Sequence, residues 1–144
     1  MSLTSLLDNK TDHLYLLDIY DKKTLALWAC RCAERVLKNF ENVSADKRPR
    51  QGLETCYQRM EGKKTVHECR LAALATHAAA REVIGNDVAC FAARAVGQAI
   101  STPHVAAHAI AAMGYARKSV YAAGGDVEGE YQWQMRELEM LHGE

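Results

Sequence analysis

Apolar positions recur at helical spacing along most of the chain, and no stretch carries the period-two alternation of a strand. Between about Lys22 and Phe40, Leu25, Ala29, Cys32, Val36 and Phe40 fall on one stripe. Trp28 and Arg35 flank it, while Leu27, Arg31, Glu34 and Lys38 take the far side. Asp21 is placed to accept from the first free backbone N–H groups of that helix. The polar stretch Glu41 to Lys47 reads as a loop. Arg48-Pro49-Arg50 opens a second helix, because proline suits a first helical turn and discourages helix before it. Leu53, Cys56, Tyr57 and Met60 form its inward face, and Gly62 ends it.

The alanine-rich run from about Thr65 to Ala123 organises the rest. Thr65 with Glu68 forms a capping box, predicting a third helix that reaches Ile84 before Gly85-Asn86. Val66, Cys69, Ala73, Ala80 and Ile84 make its apolar stripe, and Arg70, Leu74, His77 and Arg81 a second one. A fourth helix from Asp87 to Ile100 turns Val88, Phe91, Ala92, Ala95 and Ala99 inward, with Arg94 and Gln98 alongside. Ser101-Thr102-Pro103 breaks the helix and restarts it, with Thr102 as cap and Pro103 in first position. The fifth helix then runs to Ala123 before Gly124-Gly125, with Val105, Ala109, Ala112, Ala116 and Val120 on one face. Ala107, Ile110 and Gly114 lie nearly opposite, and a helix apolar on both sides is buried among others.

A sixth helix, Asp126 to His142, carries Tyr131, Met135 and Leu138 on one stripe and Trp133 and Met140 nearly opposite. The second face would cover the N-terminal segment or meet a second copy, so Trp133 and Met140 are candidate interface residues for a homodimer. The lead-in over residues 1–20 carries Leu6, Leu7, Leu14, Leu16, Leu17 and Ile19 and reads as a short helical turn packed down by leucines. Short connections make neighbours antiparallel. The fold class is therefore all-α, one domain over residues 1–144, a bundle of five to six mostly antiparallel helices with an alanine-rich buried centre.

Composition narrows the function. The 18 Lys and Arg balance 18 Asp and Glu. That neutrality argues against nucleic acid or an anionic membrane as partner, although a local patch survives a neutral total. No stretch approaches the roughly 18 apolar residues of a membrane span. The five cysteines, Cys30, Cys32, Cys56, Cys69 and Cys90, are odd in number and follow no signal-peptide pattern. All five are expected to be reduced, small core or half-buried residues of a cytoplasmic protein.

Candidate chemistry gathers on the alanine-rich run. His104 and His108 are four apart and share a helix side with Ala111 and Tyr115. They are half of a zinc arrangement, but no glutamate stands between them, and the third ligand would have to be His77 or a carboxylate such as Glu82. A metal held by His77, His104 and His108 is thus the weaker alternative, and no cofactor is expected. Histidine as general base would need a nucleophile in reach. Ser101, Thr102 and Ser119, or Cys69 and Cys90 beside His77, supply none in a recognisable context, so no catalytic residue is assigned and no enzyme expected. Arg48, Arg50, Arg70, Arg81 and Arg94 lie beside the apolar centre. They either pair with Asp46, Glu54 and Glu82 across helices or, with the histidines, line a pocket for a carboxylate or phosphate. A small-ligand- or metal-binding helical domain is the alternative function.

Leu27-Trp28-Ala29-Cys30, Cys32-Ala33-Glu34-Arg35-Val36-Leu37 and Asp46-Lys47-Arg48-Pro49-Arg50 carry a resemblance, as do the runs from Arg70 to Arg81, Ala92 to Ala99 and Thr102 to Ala109. With Tyr131-Gln132-Trp133-Gln134 and Leu138, they resemble a bacterial all-helical family of immunity proteins. The likeness covers nearly the whole chain after the lead-in. It implies a non-enzymatic cytoplasmic protein that binds a cognate toxin and blocks it, without established catalytic residues. Gln98 stands where the family pattern often has histidine, and Pro103 where it commonly has alanine.

Overall fold

A computed structural model describes residues 2–7 and 11–143. Positions 8–10 of the lead-in lie outside the described residues. Among the described residues the chain forms eight α-helices and one 3₁₀ turn, with no strand. The six long helices are α3 (Lys22–Glu41), α4 (Arg48–Met60), α5 (Val66–Glu82), α6 (Asp87–Ser101), α7 (His108–Ala122) and α8 (Val127–His142). The count thus exceeds the five to six anticipated, because the lead-in adds α1 (Leu3–Leu7), the 3₁₀ turn (Thr11–His13) and α2 (Leu16–Ile19).

Local chemistry sets most boundaries. Asp21 accepts from Thr24 N at 2.7 Å, and Asn86 and Asp126 cap α6 and α8 in the same way. Both bonds of the Thr65–Glu68 capping box are present. Gly62 closes α4 with φ of 76°, a left-handed conformation that an L side chain resists.

The centre is built from α3, α6 and α7. The predicted α3 stripe of Leu25, Ala29, Cys32, Val36 and Phe40 is buried throughout. Trp28, expected to flank it, is also fully enclosed, and its indole N–H donates to Gln134 O at 2.7 Å. In α6 the buried face shifts by one residue from the one anticipated. Ala89, Ala93, Val96 and Ile100 join Ala92, Ala95 and Ala99, whereas Val88 and Phe91 lie half-buried at its edge. Gly52 brings α4 against α5 and α6, since a Cβ there would stand 2.5 Å from Thr76 Oγ1 and 2.7 Å from Ile100 Cδ1.

Several expectations are corrected. Helix α7 starts at His108, not Pro103: α6 ends at Ser101 with Thr102 as its C-cap, and residues 103–107 form the connection. His104 therefore precedes the helix instead of sharing it with His108. Helix α5 stops at Glu82, two residues early, leaving Ile84 exposed. Leu14 and Ile19 of the lead-in are also exposed, while Leu6, His13 and Leu16 are buried. The cysteines are not all free, because Cys30 of α3 and Cys56 of α4 form a disulfide between two buried inward-facing positions.

The largest polar side chain in the interior is Arg117 of α7, fully buried. Its Nε donates to Leu6 O at 2.6 Å and its Nη1 to Gln134 Oε1 at 2.8 Å, and its guanidinium faces the Tyr131 ring at 5.2 Å. Gln134 passes the connection on by donating from Nε2 to Met113 O at 3.0 Å. Burial lowers the pKa of Arg117 to about 10, which still leaves it charged at neutral pH. Helices α1, α7 and α8 are thus joined at one buried cation. His13 adds a second tie to α8, with Nε2 2.8 Å from Tyr131 Oη.

Candidate functional site

Helices α5, α6 and α7 lie side by side and share an outward-facing polar line. His77 is half-buried on α5, its ring laid over Gly97 so closely that a Cβ there would meet ring atoms at 2.3–2.7 Å. Arg94 Nη1 donates to His77 Nδ1 at 3.0 Å. A guanidinium has no acceptor to offer, so Nδ1 carries the lone pair and the ring is neutral. Burial, then the charges of Arg94 and Arg81, lower the pKa of His77 to about 4.

One turn further along α6, Gln98 Oε1 accepts from His108 Nδ1 at 2.6 Å. His104, in the turn before α7, has its pKa lowered by burial and by Arg70, and its Nδ1 is buried with no hydrogen-bond partner among the described residues. Tyr115 stacks with Phe91 at 6.0 Å between ring centroids, and Lys118 Nζ stands 5.3 Å from the Tyr115 ring. Between α7 and Leu7 of α1 lies a cleft of about 490 Å³, lined by Val105, His108, Ala111, Gly114, Tyr115 and Lys118 among others.

The ten residues of the anticipated polar cluster therefore divide into two groups. His77, Arg81, Arg94, His104, His108, Tyr115 and Arg70 belong to the α5–α6–α7 face. Asp46, Arg48 and Arg50 belong to a separate knot where α4 begins. There Arg48 pairs with Asp46 at 2.6 Å and Glu82 at 2.7 Å, and Arg50 with Glu41 at 2.7 Å. The arginine hydrogen bonds hold the carboxyls of Asp46 and Glu41 below their ordinary pKa. Glu41, not Glu54, is the partner of Arg50. With their carboxylates in place, Arg48 and Arg50 fasten helices and do not open a basic pocket.

The alternative three-histidine metal arrangement does not assemble. Among the described residues no three His, Cys, Asp or Glu side chains converge on one point, and a cation already occupies Nδ1 of His77. The hydroxyls considered as nucleophiles each donate to a backbone carbonyl: Ser101 to Gly97, Thr102 to Gln98 and Ser119 to Val88. On α8, Trp133 is not an open aromatic, because the Arg35 guanidinium lies 4.0 Å over its ring while bonding both carboxylate oxygens of Glu130. Met140 is 64% exposed and lacks that cover.

Sequence reasoning passed over Arg117, Gln134 and His13. A signal for the first was present. Arg117 follows Ile110 and Met113 at i+7 and i+4, so it is a charge on an otherwise apolar stripe, and buried charges demand partners.

A close-packed all-helical domain with its polar groups tied across helices is the class that this geometry defines. Residues 16–141 match the family described as Imm-5 like putative immunity protein, and the chain belongs to that family. The match extends from the start of α2 almost to the end of α8, so it takes in the Arg117 centre and the α5–α6–α7 face together. No curated protein and no solved structure matches the chain. No helix among the described residues is long and apolar enough to cross a membrane.

Proposed function

We propose that the chain is an immunity protein in action as well as in family: a non-enzymatic, cytoplasmic domain that binds a cognate toxin and blocks it by covering its working surface. The match over residues 16–141 carries this reading. Support comes from the polar line itself: His77 and His108 bond to Arg94 and Gln98, and the hydroxyls of Ser101, Thr102 and Ser119 bond to backbone carbonyls, not to a histidine. A protein that acts by occlusion needs a stable shape and a complementary surface, and no reaction centre.

The test is co-expression with candidate toxins drawn from the genes neighbouring this one. Protection of growth, together with a stoichiometric complex on gel filtration, is the expected result. A toxin that stays fully active beside an excess of folded protein overturns the reading.

A further inference from the structure

The α5–α6–α7 side of the bundle presents apolar surface and positive charge together. Leu74 is 66% exposed, Leu71 54% and Val105 47%. Arg70 and Arg81 stand on the same outer face of α5 as the two leucines, by helical spacing. Neither arginine, nor Lys118 on α7, forms an ion pair among the described residues; the pairs that do form engage other cations. Arg94, between them, is bonded to a neutral imidazole and keeps its charge uncompensated. The carboxylate on the outward stripe of α6 is Asp87, in its first turn.

Of the carboxylates on α5, Glu68 is engaged by Lys64 and Glu82 by Arg48. Helix α8 carries Glu128, Glu130, Glu137 and Glu139 beside Arg136, and of these Glu130 and Glu137 are taken up by Arg35 and Arg31.

Gly114 supplies an independent observation. A Cβ built there meets nothing within 4 Å, so no neighbouring helix requires the glycine. Glycine weakens a helix, yet at this position it deepens the floor of the 490 Å³ cleft beside Val105 and Lys118. The face offers a partner an indentation as well as a ridge.

The geometry points to the α5–α6–α7 face as the docking surface for an acidic, amphipathic polypeptide segment of a partner protein. Its carboxylates would answer Arg70, Arg81 and Lys118, and its apolar side chains would cover Leu71 and Leu74 and enter the cleft. Charge complementarity selects the acidic partner. The exposed leucines favour polypeptide over nucleic acid, whose phosphates gain nothing from an aliphatic side chain. The inference rests on the immunity reading for the partner's identity, but the surface can be tested without the toxin.

The experiment titrates ¹⁵N-labelled full-length protein with three probes: a synthetic amphipathic helix bearing Glu on one face and Leu on the other, the same peptide with Lys for Glu, and an oligo-dT strand. The acidic peptide is expected to shift amide signals around Leu74, Arg81, Val105 and Lys118. The double variant Leu74→Glu, Arg81→Glu should bind it at least tenfold more weakly while melting like the parent. Absence of shifts on this face at millimolar acidic peptide, equal binding of the lysine peptide, or equal or tighter binding of oligo-dT overturns the assignment, the last giving the face to nucleic acid. In the toxin assay the same variant separates the two ideas. Undiminished protection by Leu74→Glu, Arg81→Glu would sink the docking face and leave the immunity reading standing. Peptide binding at the face without protection by the parent protein does the reverse.

Discussion

Arg94 and His77 are bonded at 3.0 Å as a permanent cation donating to a neutral ring, and the ring in turn lies flat against Gly97. The ordinary pKa of the histidine is 6.5, and the fold lowers it to about 4 by burial and by the neighbouring guanidinium charges. In the unfolded chain the imidazole takes up its proton as pH falls through 6.5, whereas the folded ring resists until about 4. Unfolding therefore binds a proton in that window, and stability is lost as pH drops from 6.5 towards 4. The variant His77→Gln removes the titrating group and keeps an acceptor for Arg94. Urea melts across this pH range should show a shallower loss for the variant, and parallel profiles would count against a neutral His77.

Two helical glycines should respond to alanine with opposite signs. At Gly97 the added Cβ would strike a His77 ring that Arg94 holds in place, with approaches of 2.3–2.7 Å. Overpacking of this kind destabilises by about 1–3 kcal/mol despite the better helix propensity of alanine. At Gly114 the Cβ meets nothing, so Gly114→Ala should stabilise by roughly 0.5–1 kcal/mol. Thermal melts of the two variants decide the matter, and a loss of stability in Gly114→Ala would mean the cleft floor is more tightly packed than described.

Replacing Arg117 by Met should loosen the lead-in first. The exchange keeps an unbranched apolar stem but leaves Leu6 O and Gln134 Oε1 without this donor. Stranded buried acceptors, offset in part by removal of a buried charge, point to a loss of about 2–4 kcal/mol. Limited proteolysis should cut within the first 20 residues well before the alanine-rich centre opens. Uniform cleavage along the chain would show instead that Arg117 supports the whole bundle.

Features governed by a few adjacent residues were legible in the sequence. Thr65 with Glu68, Gly62 and Asp21 each act within one turn, and each is found where the pattern put it. The buried stripe of α3 was equally clear, because twenty residues of one helix repeat the same period. The start of α7 was misread because Pro103 permits either a new helix or a turn, and packing chose the turn. Division of the polar cluster depended on tertiary neighbours. Asp46 beside Arg48 gave a local hint of its pairing, but its second partner, Glu82, lies 34 positions away, and Arg81 meets no carboxylate among the described residues. Arg117 was overlooked because the alanines of the run before it, Ala111, Ala112 and Ala116, drew attention to packing, although its place on an apolar stripe marked it.

The cysteines give a direct count. Cys32 and Cys69 are buried thiols, Cys90 is half-buried, and Cys30 and Cys56 are bonded to each other. Protein denatured without reductant should release three titratable thiols, and five after reduction. In the native state Cys90 should react first, since burial shields Cys69 and raises its pKa, and does so more strongly for Cys32. Five thiols without reductant would mean that the Cys30–Cys56 bond is not made in the protein as purified.

Gln134 has a consequence for how the chain is born. Its side chain receives Arg117 and reaches Met113, and its carbonyl receives the indole of Trp28, so one residue of α8 completes a contact begun 106 positions earlier and two begun in α7. A chain still emerging from the ribosome can form α3 through α7, but it cannot enclose Trp28 and Arg117 with these partners until α8 has been made. Prematurely terminated products would then display an unsatisfied cation and an uncovered indole, the kind of surface that chaperones and proteases recognise. In this architecture α8 closes the core over α3 and α7, and copies that lack it leave that core uncovered.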